Sequence, residues 1–167
     1  LNLGITYIGL GELIEAKTSI LKSIELKSDF AIAYCNLGFI SREDGDLNEA
    51  EKNFQKAIKL KPDYADAYCN LGALQQELGR EEEAEVNLTK AIKLKPGFTN
   101  FLMNRWRLFF DKKEFELALK DVDACNTKES RACALETLYS LGRIDEIYER
   151  IKKTSKLDET NIRLAAF

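Results

Sequence analysis

Ala31-Ile32-Ala33-Tyr34-Cys35-Asn36-Leu37-Gly38 opens a stretch of 34 residues ending at Tyr64, and Ala65-Asp66-Ala67-Tyr68-Cys69-Asn70-Leu71-Gly72 opens the next, ending at Phe98. Of the 34 positions, 20 are identical between the two stretches. The endings agree as closely: Ala-Ile-Lys-Leu-Lys-Pro stands at 57–62 and again at 91–96. The chain is a tandem array, in which each repeat is one supersecondary element that buries its apolar face only against its neighbours.

With each repeat counted from Ala31 as position one, the recurring residues have physical jobs in a pair of helices, A and B. Position eight is Gly4, Gly38 and Gly72. A missing side chain there lets two helices approach closely, at about 1 kcal/mol of helix propensity. Position fifteen is Gly11, Gly45, Gly79 and later Gly142, placed where helix A stops and a left-handed residue is wanted. Ala16, Ala50, Ala84 and Ala118 stand four residues before Ile20, Phe54, Leu88 and Val122, so helix B presents one apolar stripe. Pro62 and Pro96 lie just beyond helix B, where proline halts further helix.

These residues resemble the tetratricopeptide repeat, whose pattern places an aromatic, Leu-Gly, Gly, Ala, an aromatic or aliphatic residue, Ala and Pro at these offsets. The resemblance covers residues 1 to about 126 well and the remainder loosely. It implies an all-α, right-handed superhelical solenoid of antiparallel helix hairpins. Repeats are expected near 1–30, 31–64, 65–98 and a shortened 99–127, with 128–167 forming a degenerate repeat and a C-terminal capping helix.

Repeat by repeat, the pattern predicts helices near 1–9, 13–26, 30–43, 47–60, 64–77 and 81–94. Leu1 falls at position five, so the sequence reads as a fragment beginning inside a helix. The fourth repeat keeps Asn104, Ala118 and Val122 in register but has Arg105-Trp106 in place of Leu-Gly. Trp106 cannot occupy a glycine's space, so altered packing is expected there, with helices near 99–111 and 115–125. Leu141-Gly142-Arg143 follows Leu78-Gly79-Arg80 after 63 residues instead of the 68 of two periods, so a shortened B helix near Asn126-Thr127 precedes helices near 129–141 and 144–154.

An apolar content of 45% with 32% charged residues is that of a folding, soluble chain. A net charge of −3 without a concentrated basic face argues against nucleic acid. The lysines at 56, 59, 61, 90, 93 and 95 end B helices whose starts carry glutamates, as the helix dipole favours, and read as solvated. No run of 18 apolar residues exists in the sequence, so no membrane span is expected. Cys35 and Cys69 sit at the same position of adjacent repeats, too far apart for a disulfide; four reduced cysteines favour a cytoplasmic location.

Catalysis is not expected, because the chain has no histidine and its cysteines lack an activating partner. No cofactor or metal site is expected either. Asp44, Asp46 and Asn48 have the first spacings of a calcium loop, but Glu49 and Gln55 stand where glycine and the bidentate glutamate belong. Asp46 and Glu49 read better as a helix capping box.

The concave face remains. In the family this sequence resembles, A-helix positions two, five, six, nine, twelve and thirteen line a groove. Candidate peptide-binding residues there are Asn2, Asn36, Asn70 and Asn104, together with Phe39, Arg42, Cys69, Met103, Arg107 and Phe110. The four asparagines fall at position six, 34 residues apart each time. Either they bond within their own hairpin or they form a ladder for a partner's backbone. The row is also similar to the repeat arm of O-linked N-acetylglucosamine transferase. The Lys and Arg of a carboxylate clamp for chaperone tails are not matched, since those slots hold Leu1, Cys35, Asp66 and Asn104. Three functions follow as expectations: a non-catalytic module binding a protein or peptide segment; the substrate-recognition arm of a larger glycosyltransferase, oxygenase or sulfotransferase; and a self-associating scaffold, a homodimer through its terminal repeats.

Overall fold

A computed structural model describes residues 13–26 and 30–153 of the chain. Among the described residues there are helices and no strands. In order they are α1 (Leu13–Leu26), α2 (Ala31–Glu43), α3 (Leu47–Leu60), α4 (Ala65–Glu77), α5 (Glu81–Leu94), α6 (Thr99–Asp111), α7 (Phe115–Asp123), α8 (Lys128–Ser140) and α9 (144–153). The all-α expectation holds, and so do the helix bounds to within a residue or two. The helix expected near 1–9 and the capping helix beyond 154 lie outside the described residues. By contacts the chain divides into two compact lobes, Leu1–Asn104 and Arg105–Phe167, with the boundary inside α6. The pattern-based division near residue 127 is different.

In the N-terminal lobe α2 packs along α3, α4 along α5, and α3 against α4. One core cluster gathers Cys35, Ala50, Phe54, Ala57, Ala67, Leu71 and Leu74, with Tyr34 and Tyr64 packed against it. A second gathers Ile20, Ala33, Leu37 and Ile40. The small residues read from the sequence sit where backbones close: Ala50, Ala57, Ala84 and Ala91 are fully buried. A Cβ added to Gly38 would come within 2.7 Å of the Phe54 ring, and one added to Gly72 within 2.8 Å of Leu88. The glycine at position eight is therefore the socket for the large residue of helix B.

The described turns from A to B are closed in one way. Gly45 takes φ +81°. The amide of Asp46 then donates to the Ser41 carbonyl at 2.8 Å and that of Gly45 to Arg42 at 3.0 Å, which ends α2 in a left-handed C-cap. Arg80 to Gln75, Glu114 to Phe109 and Arg143 to Leu138 repeat the bond from Asp46 to Ser41. This closure corrects the expected capping box. Asp46 Oδ1 does accept from the Glu49 amide at 3.0 Å, but Asp46's own amide is already committed to Ser41. The Glu49 carboxylate instead accepts from Asn53 Nδ2 at 3.3 Å. A reciprocal box forms at another helix start, where Thr127 and Ser130 exchange bonds of 3.0 and 3.1 Å ahead of α8.

The fourth repeat makes the same turn without glycine: Lys113 holds φ 62°. A left-handed residue with a Cβ costs about 1–2 kcal/mol. Lys113→Gly is expected to stabilise the chain by about 1 kcal/mol, read as a rise in the denaturation midpoint; an unchanged or lower midpoint would contradict the strain.

The lysines at 56, 59, 61, 90, 93 and 95, around the ends of α3 and α5, are all exposed, as expected, and some also touch a neighbouring repeat or ring. Lys95 Nζ lies 2.9 Å from Asp66 Oδ2, and Lys56 and Lys61 fold over the rings of Tyr34 and Tyr64.

In the C-terminal lobe the substitutions at Arg105 and Trp106 find new partners. Arg105 forks onto Asp121 with bonds of 2.8 and 2.7 Å, and the carboxylate side chain is only 3% exposed. Trp106 Nε1 donates to Thr137 Oγ1 at 3.0 Å, and its ring stands 5.3 Å from that of Phe110, itself 5.3 Å from Phe115. Opposite the missing glycine, the residue at the Phe54 and Leu88 position has shrunk to Val122. The departure expected of this repeat falls on helix B: α6 keeps the 13 residues of α2 and α4, while α7 has 9 against 14 in α3 and α5.

Candidate functional site

The row of asparagines lies on α2, α4 and α6 in the N-terminal lobe, one per A helix. Asn70 Nδ2 donates to Cys35 Sγ at 3.4 Å, and Asn104 Nδ2 donates to Cys69 Sγ at 3.0 Å. Each bond joins position six of one repeat to position five of the repeat before. Asn36 finds no such acceptor among the described residues, and in the sequence the position one period before Cys35 holds Leu1 in place of a cysteine. Among the described residues, the buried side-chain atoms left without a hydrogen bond are Asn36 Nδ2 and Ser41 Oγ. The Oδ1 atoms of Asn36, Asn70 and Asn104 are not among them and accept from no described donor, so they reach solvent.

The two thiols are buried, each 4% exposed. Burial pushes the Cys69 thiol up to about 11 against the smaller opposing effect of the Asn104 bond, with the Asp66 charge adding to the rise. Cys35 is raised for the same first reason; its bonds to Asn70 and Tyr64 work the other way. Both stay neutral at physiological pH, and all four cysteines are free thiols. Burial also raises Tyr64, which packs against the cluster that holds Cys35.

The structure sorts the remaining candidates. Cys69 is corrected as a peptide contact: the neighbouring A helix covers it, and it touches Asn104 instead of solvent. Arg42 is held by Glu77 of α4 at 2.7 Å, which ties adjacent A helices at the same level. Phe39 and Met103 are half-buried in the N-terminal lobe. Arg107 and Phe110 belong to the C-terminal lobe, where Arg107 is exposed and Phe110 is half-buried between Trp106 and Phe115. Asn2 lies outside the described residues.

Sequence reasoning missed Cys35 as the acceptor for Asn70. The pairing was signalled by Cys-Asn recurring at 35–36 and 69–70 with only Asn kept at 104. It also missed a polar chain in the third repeat, where Asn87 Nδ2 donates to Gln75 Oε1 at 2.7 Å and Gln75 Nε2 to Glu83 at 2.9 Å.

Among the described residues no group of three or more His, Cys, Asp or Glu side chains is placed to hold a metal ion. No described helix is long and apolar enough to cross a membrane.

Family models described as tetratricopeptide repeat match residues 1–30 and 65–98, and a third, described as TPR repeat, matches residues 40–79. Together they take in more than half of the 167 residues. Curated proteins give no significant match. Among solved structures, a crystal structure of MamA superposes with TM-score 0.77 at 18% identity, covering 98% of both chains. A tetratricopeptide repeat protein from Parabacteroides merdae gives 0.74 at 20% identity, over 94% of this chain and 65% of that one. YrrB, described as having an unusual peptide-binding site, gives 0.68 at 21% identity, over 92% of this chain and 81% of its own. At these identities the likeness is one of fold.

Proposed function

This chain belongs to the tetratricopeptide-repeat family, and from that premise we propose that its N-terminal lobe holds a segment of another protein, without catalysis, along the row Asn36, Asn70 and Asn104. The observation that carries the reading is Asn36. Its Nδ2 is buried without an acceptor among the described residues, a situation that costs about 1–3 kcal/mol, and asparagine in a helix interior is poorer than alanine by several tenths of a kcal/mol. The fold gains nothing from that side chain. A solvent-facing carbonyl in line with two others on adjacent helices gives it a use toward a ligand. Phe39 and Met103 add apolar surface beside the row, as a specific interface needs.

Decapeptides selected from a random display library on the immobilised chain provide the probe. Each bond to the row should contribute only about 0.5–1.5 kcal/mol net. Replacing Asn36 and Asn70 together with Ala is therefore expected to weaken binding about tenfold or more while the melting temperature holds or rises, since relief of the unsatisfied Asn36 amide offsets the lost bond from Asn70 to Cys35. A double variant that loses stability and keeps its affinity would make the asparagines structural.

A further inference from the structure

The last described helix, α9, carries an apolar stripe on its surface. Ile144, Tyr148 and Ile151 stand 42%, 69% and 47% exposed, and their spacing of four and then three residues puts them on one face. Ile147, half-buried, lies along its edge. At the position of Ile151, counted from Leu141-Gly142-Arg143, the earlier repeats carry Phe54, Leu88 and Val122, each 1% exposed or less. The fifth repeat has no socket of that kind. Its position eight is Leu135 in place of Gly38 and Gly72, and no smaller residue answers it as Val122 answers Trp106.

In the N-terminal lobe the corresponding stripe of α3, Leu47, Ala50 and Phe54, packs in one cluster with Ala67, Leu71 and Leu74 of α4. That approach rests on alanines, for Ala50 and Ala67 are both 0% exposed. The residues after α9 do not fit such an approach: Ile147 replaces the alanine of helix B, and Ile162 and Leu164 stand at positions one and three, where α2 and α4 have Ala31, Ala33, Ala65 and Ala67. Large side chains suit a wider pair of helices. The charges beside the stripe select the partner. On one side Arg143 and Arg150 are used within the lobe, by Glu116 at 3.2 Å and Asp123 at 2.9 Å. On the other, Asp145 and Lys152 are exposed and seven residues apart. When two identical helices pair antiparallel about a two-fold axis, each flank faces itself in reverse, so Asp145 of one copy meets Lys152 of the second at both ends, with Tyr148 near the axis. Parallel pairing would set Asp145 against Asp145.

We propose that α9 is a self-association surface on which a second copy of this chain docks antiparallel, with Ile144, Tyr148 and Ile151 packed against their counterparts and Asp145 paired with Lys152 of the other copy. This gives the homodimer expected from the sequence a surface and a geometry. It goes beyond peptide binding and does not depend on it. The described part of α9, residues 144–153, is about 15 Å long, whereas long-lived interfaces bury roughly 1,200–2,000 Å². The dimer is therefore a transient one that forms as concentration rises.

The test is sedimentation equilibrium of the full 167-residue chain, from about 10 µM to about 1 mM, at low salt, where exposed charges are least screened. A reversible monomer–dimer equilibrium is expected. Tyr148→Glu should weaken it about tenfold or more and leave the melting temperature unchanged, since the side chain is exposed. Asp145→Lys and Lys152→Asp should each weaken it about threefold or more, because each sets like charges together at both ends. The double variant, which exchanges the two signs, should return to within about twofold of the parent. A chain that stays monomeric throughout, as it would if its own residues 154–167 covered the stripe, overturns the proposal. So does a dimer indifferent to Tyr148→Glu, which would use another surface, or a double variant no tighter than the singles, which would not pair antiparallel through α9.

Discussion

Phe54→Ala is expected to destabilise the chain by about 3–5 kcal/mol, the range for emptying a closed aromatic site. The ring is 1% exposed and lies in the socket left by Gly38, with Ala50 and Ala57 along the same face of α3. Collapse into the space is hindered, because Gly38 has no side chain to move and the neighbouring alanines are small. Gly38→Ala should itself cost about 1–3 kcal/mol from overpacking, less about 1 kcal/mol returned by helix propensity. The informative measurement is the double-mutant cycle. Once Phe54 is truncated, the Cβ that would lie 2.7 Å from its ring has the Ala50 carbonyl at 3.1 Å as its next neighbour, so Gly38→Ala should become close to neutral. Additive effects in urea denaturation would show that the two residues do not share a socket.

The second large effect is expected in the C-terminal lobe. Arg105→Ala leaves the Asp121 carboxylate buried without its fork, and Asp121→Ala leaves the guanidinium; breaking a buried pair from one side costs about 3–5 kcal/mol. The chain contains its own repair. In the third repeat the same two positions are Leu71 and Asn87, and in the second they are Leu37 and Asn53. Arg105→Leu combined with Asp121→Asn is therefore expected to recover most of the loss, since replacing both partners of a buried ion pair with uncharged groups is often neutral or better. Thermal denaturation of the two singles and the double decides it. A double variant as unstable as Arg105→Ala would mean that this lobe needs the charges for its packing.

The contrast between these sites shows how far the sequence could be read. Position eight, position fifteen and the B-helix stripe are local demands, each met by one residue type, and a period of 34 repeats the same solution until it is unmistakable. Arg105 was visible as a departure from Leu, but its partner lies 16 residues on in another helix, where Asp in place of Asn is a change of one atom. The asparagine row was legible for its spacing. Its polarity was not, because a sequence does not say which end of an amide points outward, and Cys69 was assigned to the groove because helical position alone places it there. Asp46 shows a similar limit: a capping signature names both partners, but only the turn reveals that one donor has already been used.

That turn also bears on how the chain acquires its structure. The bonds from Asp46 to Ser41, Arg80 to Gln75, Glu114 to Phe109 and Arg143 to Leu138 each span five residues. Each can form as soon as two adjacent helices emerge, before anything distant in the chain exists. Contacts this local carry little loop-closure entropy and belong to the fast end of folding rates. An array built from them has no obligatory starting point, and ordering can begin in any hairpin and spread to the next. The four amides are thus separate clocks: deuterium uptake at each reports the opening of its own hairpin, and their order of protection traces the route by which the array comes apart.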